Sequence, residues 1–353
     1  MNDTKKFSDA YAGVVLAAGY GTRLQPITKK IPKPLLPFVG VPLLYLNIYR
    51  LYRLGLGKVI INGHYLWQQV KESMDSCPIP MEKRFSLEEH LLGTGGAYGP
   101  MDHLREGKSL ISINGDVISD FTLSNLIKKH EQNKAHASMA LLPHTHAGEI
   151  HIWCEKSGLV VGIGKEQPTA EAVPYGFACA QILSDRFLCN IEKNKPESLI
   201  YYYRKALAKG EIIVGHVEPC FWFDLGTPES YWEAHKRFLD DISVNLGELH
   251  EDRIGVFSFS RNYLRAEYQF IPKPKKGAHP SRVLGPSLLS LNITAHSKAR
   301  LGPYLVATGE AAVDADAMVQ ESVVSGKCRV PSGQKLKNFL LFDEHSLALK
   351  ISS

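Results

Sequence analysis

The sequence predicts an α/β protein with a doubly wound domain at the N-terminal side and a parallel β-helix at the C-terminal side. Three observations predict it. Short apolar runs alternate with amphipathic segments over the first 240 residues, a glycine-rich loop follows the first apolar run, and apolar residues recur every six positions near the C-terminus. The predicted domains are residues 1–240 and 282–353, joined by a connector over 241–281.

The first predicted strands are short apolar runs without a polar interruption, which is typical of buried parallel strands. They cover residues 13–18, 58–62 and 109–114. Amphipathic helices are predicted between them at residues 43–54 and 122–133, and Gly55 is a stop signal for the first. This alternation predicts a doubly wound sheet, in which ligands bind at the carboxyl ends of the strands.

The next segments predict a mixed region that could close over a ligand. Its strands are expected at residues 135–142, 150–153, 159–163 and 177–183. A further helix is predicted to begin at Pro228, with Thr227 as its N-cap.

The C-terminal region carries a six-residue repeat. Its members are Val306, Ala312, Met318, Val324, Val330, Leu336 and Phe342, and an earlier series one residue out of phase comprises Val283, Leu289, Ala295 and Leu301. Such spacing of inward apolar residues is typical of a hexapeptide β-helix, and an antiparallel β domain is the alternative. Because the region shows no clear acyl-transfer site, we expect an assembly or regulatory module.

The most informative local feature is the loop after the first predicted strand. Gly19 and Gly21 allow backbone N–H groups to approach a polyanion closely, and Arg23 and Lys33 add charge that persists at neutral pH. Lys33 lies between Pro32 and Pro34, which stiffen its segment. The loop therefore suits a nucleoside triphosphate.

Six ordered segments together resemble the sugar-1-phosphate nucleotidylyltransferases. These are residues 16–24, 32–34, 88–96, 114–116, 166–168 and 222–228. The resemblance implies a Rossmann-like nucleotidyltransferase domain followed by a short left-handed β-helix. It also implies an enzyme, a pyrophosphorylase, that transfers a nucleoside monophosphate from a nucleoside triphosphate to a sugar 1-phosphate. The best expectation is GTP-binding and synthesis of GDP-mannose or a related GDP-hexose or GDP-heptose.

Two alternatives remain open at this point. One is a uridylyltransferase for an amino-sugar 1-phosphate. The other is a non-catalytic regulatory subunit that binds nucleotide sugars, although such a protein should lose Arg23, Lys33 or an aspartate, and all are present. The family often has Asn where this chain has Tyr175, so the sugar is not specified.

The resemblance also implies the site residues. Arg23 and Lys33 are the expected catalytic cations, Glu166 and Gly176 are expected to contact the sugar, and Asp116 and Asp224 are expected to bind Mg²⁺. The expected nucleotide contacts are Leu16, Ala17, Ala18, Gly19, Gly21, Thr22, Glu88, Gly93 and Thr94, with Glu89 as an alternative to Glu88. Taken alone, each aspartate could also serve a turn.

Composition excludes several other classes. A net charge of +5 is too mild to indicate nucleic-acid binding. The six cysteines show no zinc or redox spacing, and no apolar stretch reaches the roughly 20 residues needed to span a bilayer. We therefore expect a cytoplasmic protein with small phosphorylated substrates and no membrane partner, which could form a homo-oligomer through its C-terminal domain.

Overall fold

The computed structural model describes residues 3–145, 150–244, 268–271, 283–290 and 292–349. The chain divides into two compact units. Unit 1 comprises residues 1–20 and 47–222, and unit 2 comprises residues 21–46 and 223–353. This division does not coincide with the domain boundaries expected from the sequence, which stay predictions. Most of the predicted connector at 241–281 lies outside the described residues.

The strands in chain order are β1 Tyr11–Leu16, β2 Pro37–Phe38, β3 Val41–Pro42, β4 Lys58–Gly63, β5 Glu82–Leu87, β6 Ser109–Asn114, β7 Val117–Ser119, β8 Ala137–Leu142, β9 His151–Cys154, β10 Val160–Gly164, β11 Val173–Leu183, β12 Ile213–Val217, β13 Trp222–Asp224, β14 Tyr268–Ile271, β15 Ser287–Ser290, β16 Thr294–Ala295, β17 Arg300–Leu301, β18 Leu305–Ala307, β19 Glu310–Val313, β20 Met318–Gln320, β21 Ser322–Ser325, β22 Lys327–Val330, β23 Lys335–Lys337, β24 Phe339–Phe342 and β25 His345–Ala348. The helices are α1 Asp3–Ala10, α2 Leu43–Arg53, α3 Trp67–Ser76, α4 Gly93–Gly96, α5 Tyr98–Met101, α6 Leu123–Gln132, α7 Asp185–Leu188, α8 Leu199–Ala208 and α9 Pro228–Val244.

Unit 1 is built on a mixed sheet in the order β10-β9-β11-β6-β1-β4-β5. Strand β8 pairs with β11 on one side and with β12 on the other. Strand β1 pairs in parallel with both β4 and β6, whereas β11 runs antiparallel to β6 and β8. The doubly wound prediction is therefore confirmed. The strand order reverses between β1 and β6, and a crevice opens at such a switch point, at the carboxyl ends of the strands.

Most predicted strand ends differ from the observed ones by one to four residues, and two of these differences have a clear cause. Strand β1 stops at Leu16 instead of residue 18, because the next amide, of Ala17, donates to the Asn62 side chain at 2.6 Å and leaves the ladder. Strand β11 begins at Val173 instead of residue 177, because it pairs first with β9 and then with β8. The buried core of unit 1 includes side chains of α5 and α8 beside those of the sheet.

Unit 2 begins with the segment that carries Arg23 and Lys33. Gly21 has a φ of +63°, and its carbonyl accepts a hydrogen bond of 2.7 Å from the hydroxyl of Thr28. Short 3-10 turns then cover Thr22–Leu24, Ile27–Lys29 and Lys33–Leu35. Hence the loop is a folded segment in which both cations stand on regular turns.

Helix α9 holds the β2–β3 hairpin that follows Lys33. The Val39 N–H donates to Nε2 of His235 at 3.2 Å, and Nδ1 of His235 lies 2.8 Å from the Tyr231 carbonyl. A carbonyl can only accept, so Nδ1 carries the proton and Nε2 is the acceptor. The Tyr231 hydroxyl also donates to the Pro37 carbonyl. Val39 has a φ of +44°, which is unfavourable for a β-branched residue, and the hydrogen bond to His235 helps to hold it there.

The C-terminal part of unit 2 is a parallel β-helix, as predicted, with an arrangement consistent with the left-handed form. Three parallel ladders form its sides: β15-β18-β21-β24, β16-β19-β22 and β17-β20-β23. Strands β14 and β25 add antiparallel edges to the first ladder. Strands β14 and β25 are therefore the edge strands of a six-stranded sheet.

The predicted phase of the hexad series is wrong at Val306, Ala312 and Met318, and again at Phe342, since Val324 pairs with Leu341. Ser287 pairs with Leu305, eighteen residues on, but Leu305 pairs with Ser322, only seventeen on. The series of inward residues that includes Leu301 therefore continues in steps of six to Val319. The next inward residue, Val324, follows after only five residues. The buried cluster accordingly contains Ala307, Val313, Val319, Val324, Val330 and Leu336. Ala312 and Met318, which were expected to point inward, are only partly buried and lie outside this cluster.

The corrected phase predicts unequal effects of neighbouring substitutions. Val313→Asp should lower the free energy of unfolding by about 3 kcal/mol or more, because it places a carboxylate in the β-helix core. Ala312→Asp is the matched control and should cost about 1 kcal/mol or less. Urea unfolding followed by circular dichroism measures both. Equal effects of the two substitutions would contradict the assigned phase.

The His235 contacts predict an acid-sensitive fold. Burial lowers the pKa of His235 to about 4, from an ordinary value of 6.5. The unfolded chain then binds the proton more tightly, so the free energy of unfolding should fall as the pH drops from 6.5 towards 4, by about 2 kcal/mol for this group between pH 6.5 and 5. Burial lowers the pKa of His130 to about 4 as well, with the same sign.

His235→Gln isolates the His235 contribution, because Gln can still accept from Val39 but does not titrate. Its stability should depend less steeply on pH between 6.5 and 5 than that of the wild type. Thermal unfolding across this range is the measurement. Parallel pH profiles for the two proteins would rule out the assignment.

Candidate active site

In unit 1, the carboxyl ends of β1 and β6 are joined directly. The Gly115 N–H donates to the Leu16 carbonyl at 2.8 Å, and a Cβ at Gly115 would lie 2.6 Å from that oxygen. Only glycine fits this close approach. Asp116 follows and is partly exposed. The Asn-Gly-Asp motif thus places a carboxylate at the switch point of the sheet.

A buried chain of hydrogen bonds braces the loop after β1. The Ala17 amide donates to Oδ1 of Asn62 at 2.6 Å, and Nδ2 of Asn62 donates to Oε1 of Glu88 at 2.6 Å. The other oxygen of Glu88 accepts from the Leu92 amide at 2.9 Å. Glu88 is only 2% exposed, so it organises the strand ends, whereas the neighbouring Glu89 is exposed.

The glycines of α4 are required by the protein's own packing. The amides of Gly95 and Gly96 donate to the Glu197 carbonyl at 2.9 and 3.1 Å, and a Cβ at Gly95 would lie 2.8 Å from the backbone of Ser198. The Thr94 hydroxyl accepts from the Leu199 amide at 3.1 Å. The turn that contains Gly93 and Thr94 is therefore fixed to the start of α8.

A cavity of about 290 Å³ lies in unit 1. It is bordered by Leu16 and Asn114 at the strand ends, by Thr94, and by largely apolar side chains of β8, β9, β11 and α8. Among the expected sugar contacts, Glu166 is exposed and Gly176 is buried, and neither lines this cavity. The cavity thus connects several predicted nucleotide contacts with the mixed region of the sheet.

In unit 2, Arg23 and Lys33 meet at one carboxylate. Nη2 of Arg23 lies 3.5 Å from Oδ2 of Asp224, and Nζ of Lys33 lies 3.4 Å from Oδ1. The Lys33 side chain is 8% exposed, whereas that of Arg23 is 60% exposed. The lysine ammonium is thus fixed by burial and pairing, and the guanidinium remains open to solvent.

The absence of a side chain at Gly226 leaves room for this cluster. A Cβ at this position would collide with the Arg23 guanidinium and would lie 2.8 Å from Oδ1 of Asp224. Thr227 then caps α9, since its hydroxyl accepts from the Ser230 amide at 3.1 Å, as the sequence predicted. The Asp224-Leu225-Gly226-Thr227 segment therefore supplies an anion, free space for an arginine and a helix start.

The structure groups the expected site residues into two sets. Unit 2 holds Gly21, Thr22, Arg23, Lys33 and Asp224, and unit 1 holds Leu16, Ala17, Ala18, Gly19, Glu88, Gly93, Thr94, Asp116, Glu166 and Gly176. At Gly19, a Cβ would meet open space, so the fold itself leaves room beside the loop.

Sequence reasoning missed several residues of this region. Asn62 braces the loop after β1, and His235 braces the β2–β3 hairpin. Gln181 and Tyr203 line the cavity of unit 1. Asn62 had a detectable signal, because it is a polar residue at the end of a buried apolar strand, Lys58–Gly63. The others act through partners distant in sequence.

The donor set suits a hard cation. Asp116 and Asp224 offer carboxylate oxygens, the ligands that Mg²⁺ prefers. Within the described ranges, no group of three or more His, Cys, Asp or Glu side chains is arranged to hold a metal ion. Asp116 in unit 1 and Asp224 in unit 2 therefore each offer one carboxylate of the kind that Mg²⁺ prefers. In the same part of the chain, no helix is both long and apolar enough to cross a membrane.

The chain resembles known proteins over much of its length. The chain is 30% identical over 227 residues to a mannose-1-phosphate guanylyltransferase of Mycobacterium tuberculosis, and the match covers 62% of each chain. It is 25% identical over 333 residues to a rice protein named "Probable mannose-1-phosphate guanylyltransferase 3", covering 92% of this chain and 82% of the other.

Among solved structures, HddC from Yersinia pseudotuberculosis, complexed with GMP-PN, superposes with a TM-score of 0.55 at 23% identity. That match covers 65% of this chain and 99% of HddC, and shows a shared fold. Residues 12–151 match the Nucleotidyl transferase family model, which spans the glycine loop and the Asn-Gly-Asp motif. The chain thus carries a Nucleotidyl transferase match over residues 12–151, and over a longer stretch it is similar to proteins named mannose-1-phosphate guanylyltransferase.

Proposed function

We propose that the protein transfers a nucleoside monophosphate from a nucleoside triphosphate to a sugar 1-phosphate and releases pyrophosphate. The observation that carries this proposal is the convergence of Arg23 and Lys33 on Asp224, at 3.5 and 3.4 Å. Two cations held on one carboxylate are ready to exchange that partner for phosphate oxygens. A non-catalytic binding subunit has no need of this arrangement.

The chemistry requires no protein nucleophile. A phosphate monoester carries about −1.5 to −2 charge near pH 7, so an oxygen of the sugar phosphate can attack the α-phosphorus directly. The bond between the α-phosphorus and the oxygen that bridges to the β-phosphate breaks, and pyrophosphate leaves with that oxygen. Repulsion between two anions limits the rate, so catalysis consists of positioning and charge stabilisation.

The residues divide this work between them. The buried Lys33 supplies a fixed charge for the α-phosphate or the sugar phosphate, and the exposed Arg23 is placed to hold the triphosphate and the leaving pyrophosphate. Gly19 and Gly21 let the loop approach the phosphates. Asp116 and Asp224 would hold Mg²⁺, which neutralises phosphate charge when it is bound.

The substrates we propose follow the names of the relatives. Both curated relatives above are named for mannose 1-phosphate and guanylyl transfer, which favours GTP and a GDP-sugar product. A uridylyltransferase of an amino-sugar 1-phosphate is the second candidate, because the cavity lining is uncharged and largely apolar and suits an acyl group better than a set of hydroxyl groups. Both candidates transfer a nucleoside monophosphate to a sugar 1-phosphate at the same site, and they differ in the nucleobase and in the sugar.

We also propose a cytoplasmic location and an assembly or regulatory role for the β-helix. All six cysteines lie in the described part of the chain and none forms a disulfide, as in proteins of reducing compartments. The edge strands β14 and β25 and the sides of the β-helix are the surfaces we propose for self-association.

The direct test is a substrate matrix. Purified protein is incubated with each of four nucleoside triphosphates and a panel of sugar 1-phosphates, and pyrophosphate release is followed. Release above background with one triphosphate and a narrow set of sugars is the expected result. Failure with every pair would favour the non-catalytic alternative.

The Arg23 assignment predicts two related defects. Arg23→Ala should lower kcat at least about 100-fold, because a charge felt mainly in the transition state is removed. Gly226→Ala should produce a smaller loss, about 10-fold, because the new methyl group displaces the guanidinium without removing it. Steady-state kinetics and melting temperatures are measured together. Near-normal kinetics in Arg23→Ala would remove the arginine from the mechanism.

The metal assignment predicts a change in ion dependence. Asp116→Asn should raise the Mg²⁺ concentration needed for half-maximal activity at least about 10-fold, because one of two carboxylate ligands is lost. Exposed Glu89→Gln is the control and should leave it unchanged. Activity is titrated with Mg²⁺ after treatment with a chelator. An unaltered Mg²⁺ requirement in Asp116→Asn would contradict the proposed ligand.

A further inference from the structure

The glycine loop has a middle that packing alone does not fix. Its unit 1 part comprises residues 17–20, and a Cβ at Gly19 would meet open space. Tyr20 stands between this glycine and Gly21. Glycine loses more backbone freedom on ordering than any other residue. A loop of this kind therefore presents its N–H groups to a phosphate in a fixed arrangement only if other contacts hold its ends.

The start of the loop is held through Glu88. The Ala17 amide donates to Oδ1 of Asn62 at 2.6 Å, and Nδ2 of Asn62 donates to Oε1 of Glu88 at 2.6 Å. Asn62 and Glu88 are each 2% exposed. Water does not compete for these two hydrogen bonds, so they fix the loop where it leaves β1.

The Tyr20 end of the loop is held through His64. The Tyr20 hydroxyl lies 3.1 Å from Nε2 of His64, and Nδ1 of His64 lies 2.9 Å from the Glu88 carbonyl. A carbonyl can only accept, so Nδ1 carries the proton and Nε2 accepts from the tyrosine hydroxyl. The Tyr20 ring also meets the His64 ring edge to face, with centroids 5.6 Å apart, and lies 5.5 Å from the Tyr65 ring. Hydroxyl and ring contacts together orient Tyr20, although it is 45% exposed.

Both routes end at Glu88, and unit 1 itself supplies a partner for each polar group of this residue. The Glu88 N–H donates to the Gly63 carbonyl at 2.9 Å, and its carbonyl accepts from His64. The two carboxylate oxygens accept from Asn62 and from the Leu92 amide. Strand β4 ends at Gly63, between Asn62 and His64. One strand end and one glutamate thus hold two points of the loop that lie three residues apart.

We propose that Tyr20 and His64 are positioning residues, which fix the glycine loop for the phosphates of a nucleoside triphosphate. They complete a hydrogen-bond circuit that runs from the Ala17 amide through Asn62, Glu88 and His64 to the Tyr20 hydroxyl. In this circuit Glu88 acts through the loop and does not contact the nucleotide, in contrast to the expectation from the sequence. The inference rests on the proposed function and deepens it.

The alternative is a surface tyrosine whose ring covers its neighbours and whose hydroxyl has no role. Removing the hydroxyl would then change neither the loop nor the substrate affinity, because water replaces the partner at an exposed position. The geometry favours the positioning role. The acceptor for Tyr20 is set by a hydrogen bond from His64 to Glu88, the same residue that holds the other end of the loop.

Removal of the hydroxyl alone is the first test. Tyr20→Phe keeps the ring and should raise KM for the nucleoside triphosphate at least about 5-fold, as expected for one hydrogen bond. Its kcat should change less than about 2-fold, because the loop binds the phosphates in the ground state and the transition state alike. Tyr52→Phe is the matched control, since Tyr52 lies on α2, is 37% exposed and has no part in the circuit. An unchanged KM in Tyr20→Phe overturns the inference.

A double-mutant cycle shows whether His64 acts through Tyr20. His64→Phe keeps a ring beside Tyr20 but removes both ring nitrogens, and it should raise KM about as much as Tyr20→Phe. The double variant should differ from either single variant by less than about 2-fold, because both substitutions break the same hydrogen bond. Effects that multiply in the double variant would show that the two residues act independently and would overturn the circuit.

Hydrogen exchange separates a failure of this inference from a failure of the proposed function. Without any ligand, the amides of residues 17–20 should exchange at least about 5-fold faster in Tyr20→Phe and His64→Phe than in the wild type or Tyr52→Phe. Unchanged exchange overturns the inference, whether or not the protein releases pyrophosphate. If no substrate pair reacts, the proposed function fails, and calorimetry with ATP, CTP, GTP and UTP decides the role of the circuit. Weaker triphosphate binding in both variants then supports it, and unchanged or undetectable binding overturns it.

Discussion

The Asp224 carboxylate is the interaction on which the basic cluster depends. Two cations from one loop would repel each other if they were brought together alone, and their hydration would favour an extended loop. Asp224 accepts both, at 3.5 Å from Arg23 and 3.4 Å from Lys33, so their positions are set before any substrate arrives. In the proposed reaction, an incoming polyphosphate would replace one anion with another, and little reorganisation would be required.

Helix α9 explains how this carboxylate keeps its place. It starts four residues after Asp224, at Pro228, with Thr227 as its cap. About one and two turns later, Tyr231 and His235 hold the hairpin that follows Lys33. The same rigid element therefore positions the anion and one of its two cations. The unfavourable left-handed backbone conformation of Val39 accompanies this arrangement. It persists because the hydrogen bonds to His235 and from Tyr231 hold the hairpin on both sides of it.

The sequence predicted features that are local or periodic. The glycine loop, the strand–helix alternation, the Thr227 cap and the six-residue repeat all leave a signal within about 20 residues. It did not predict that Glu88 would be buried against Asn62 and Leu92, or that Gly95 would lie against the Glu197 carbonyl. These outcomes depend on pairings between distant segments. The phase error arose because one β-helix turn is a residue shorter than the turn before it.

The charged and neutral parts of the candidate site have different physical roles. In the proposed reaction, Arg23 and Lys33 would act on phosphate groups that every sugar 1-phosphate shares, so they would contribute rate but little discrimination among sugars. The cavity of unit 1 is lined by uncharged and largely apolar side chains. An apolar surface distinguishes a methyl group by only about 1–3 kcal/mol, whereas a site that pairs buried polar atoms rejects analogues without the matching group far more strongly. Selectivity for the sugar would therefore depend on polar groups around the bound sugar and not on the two cations.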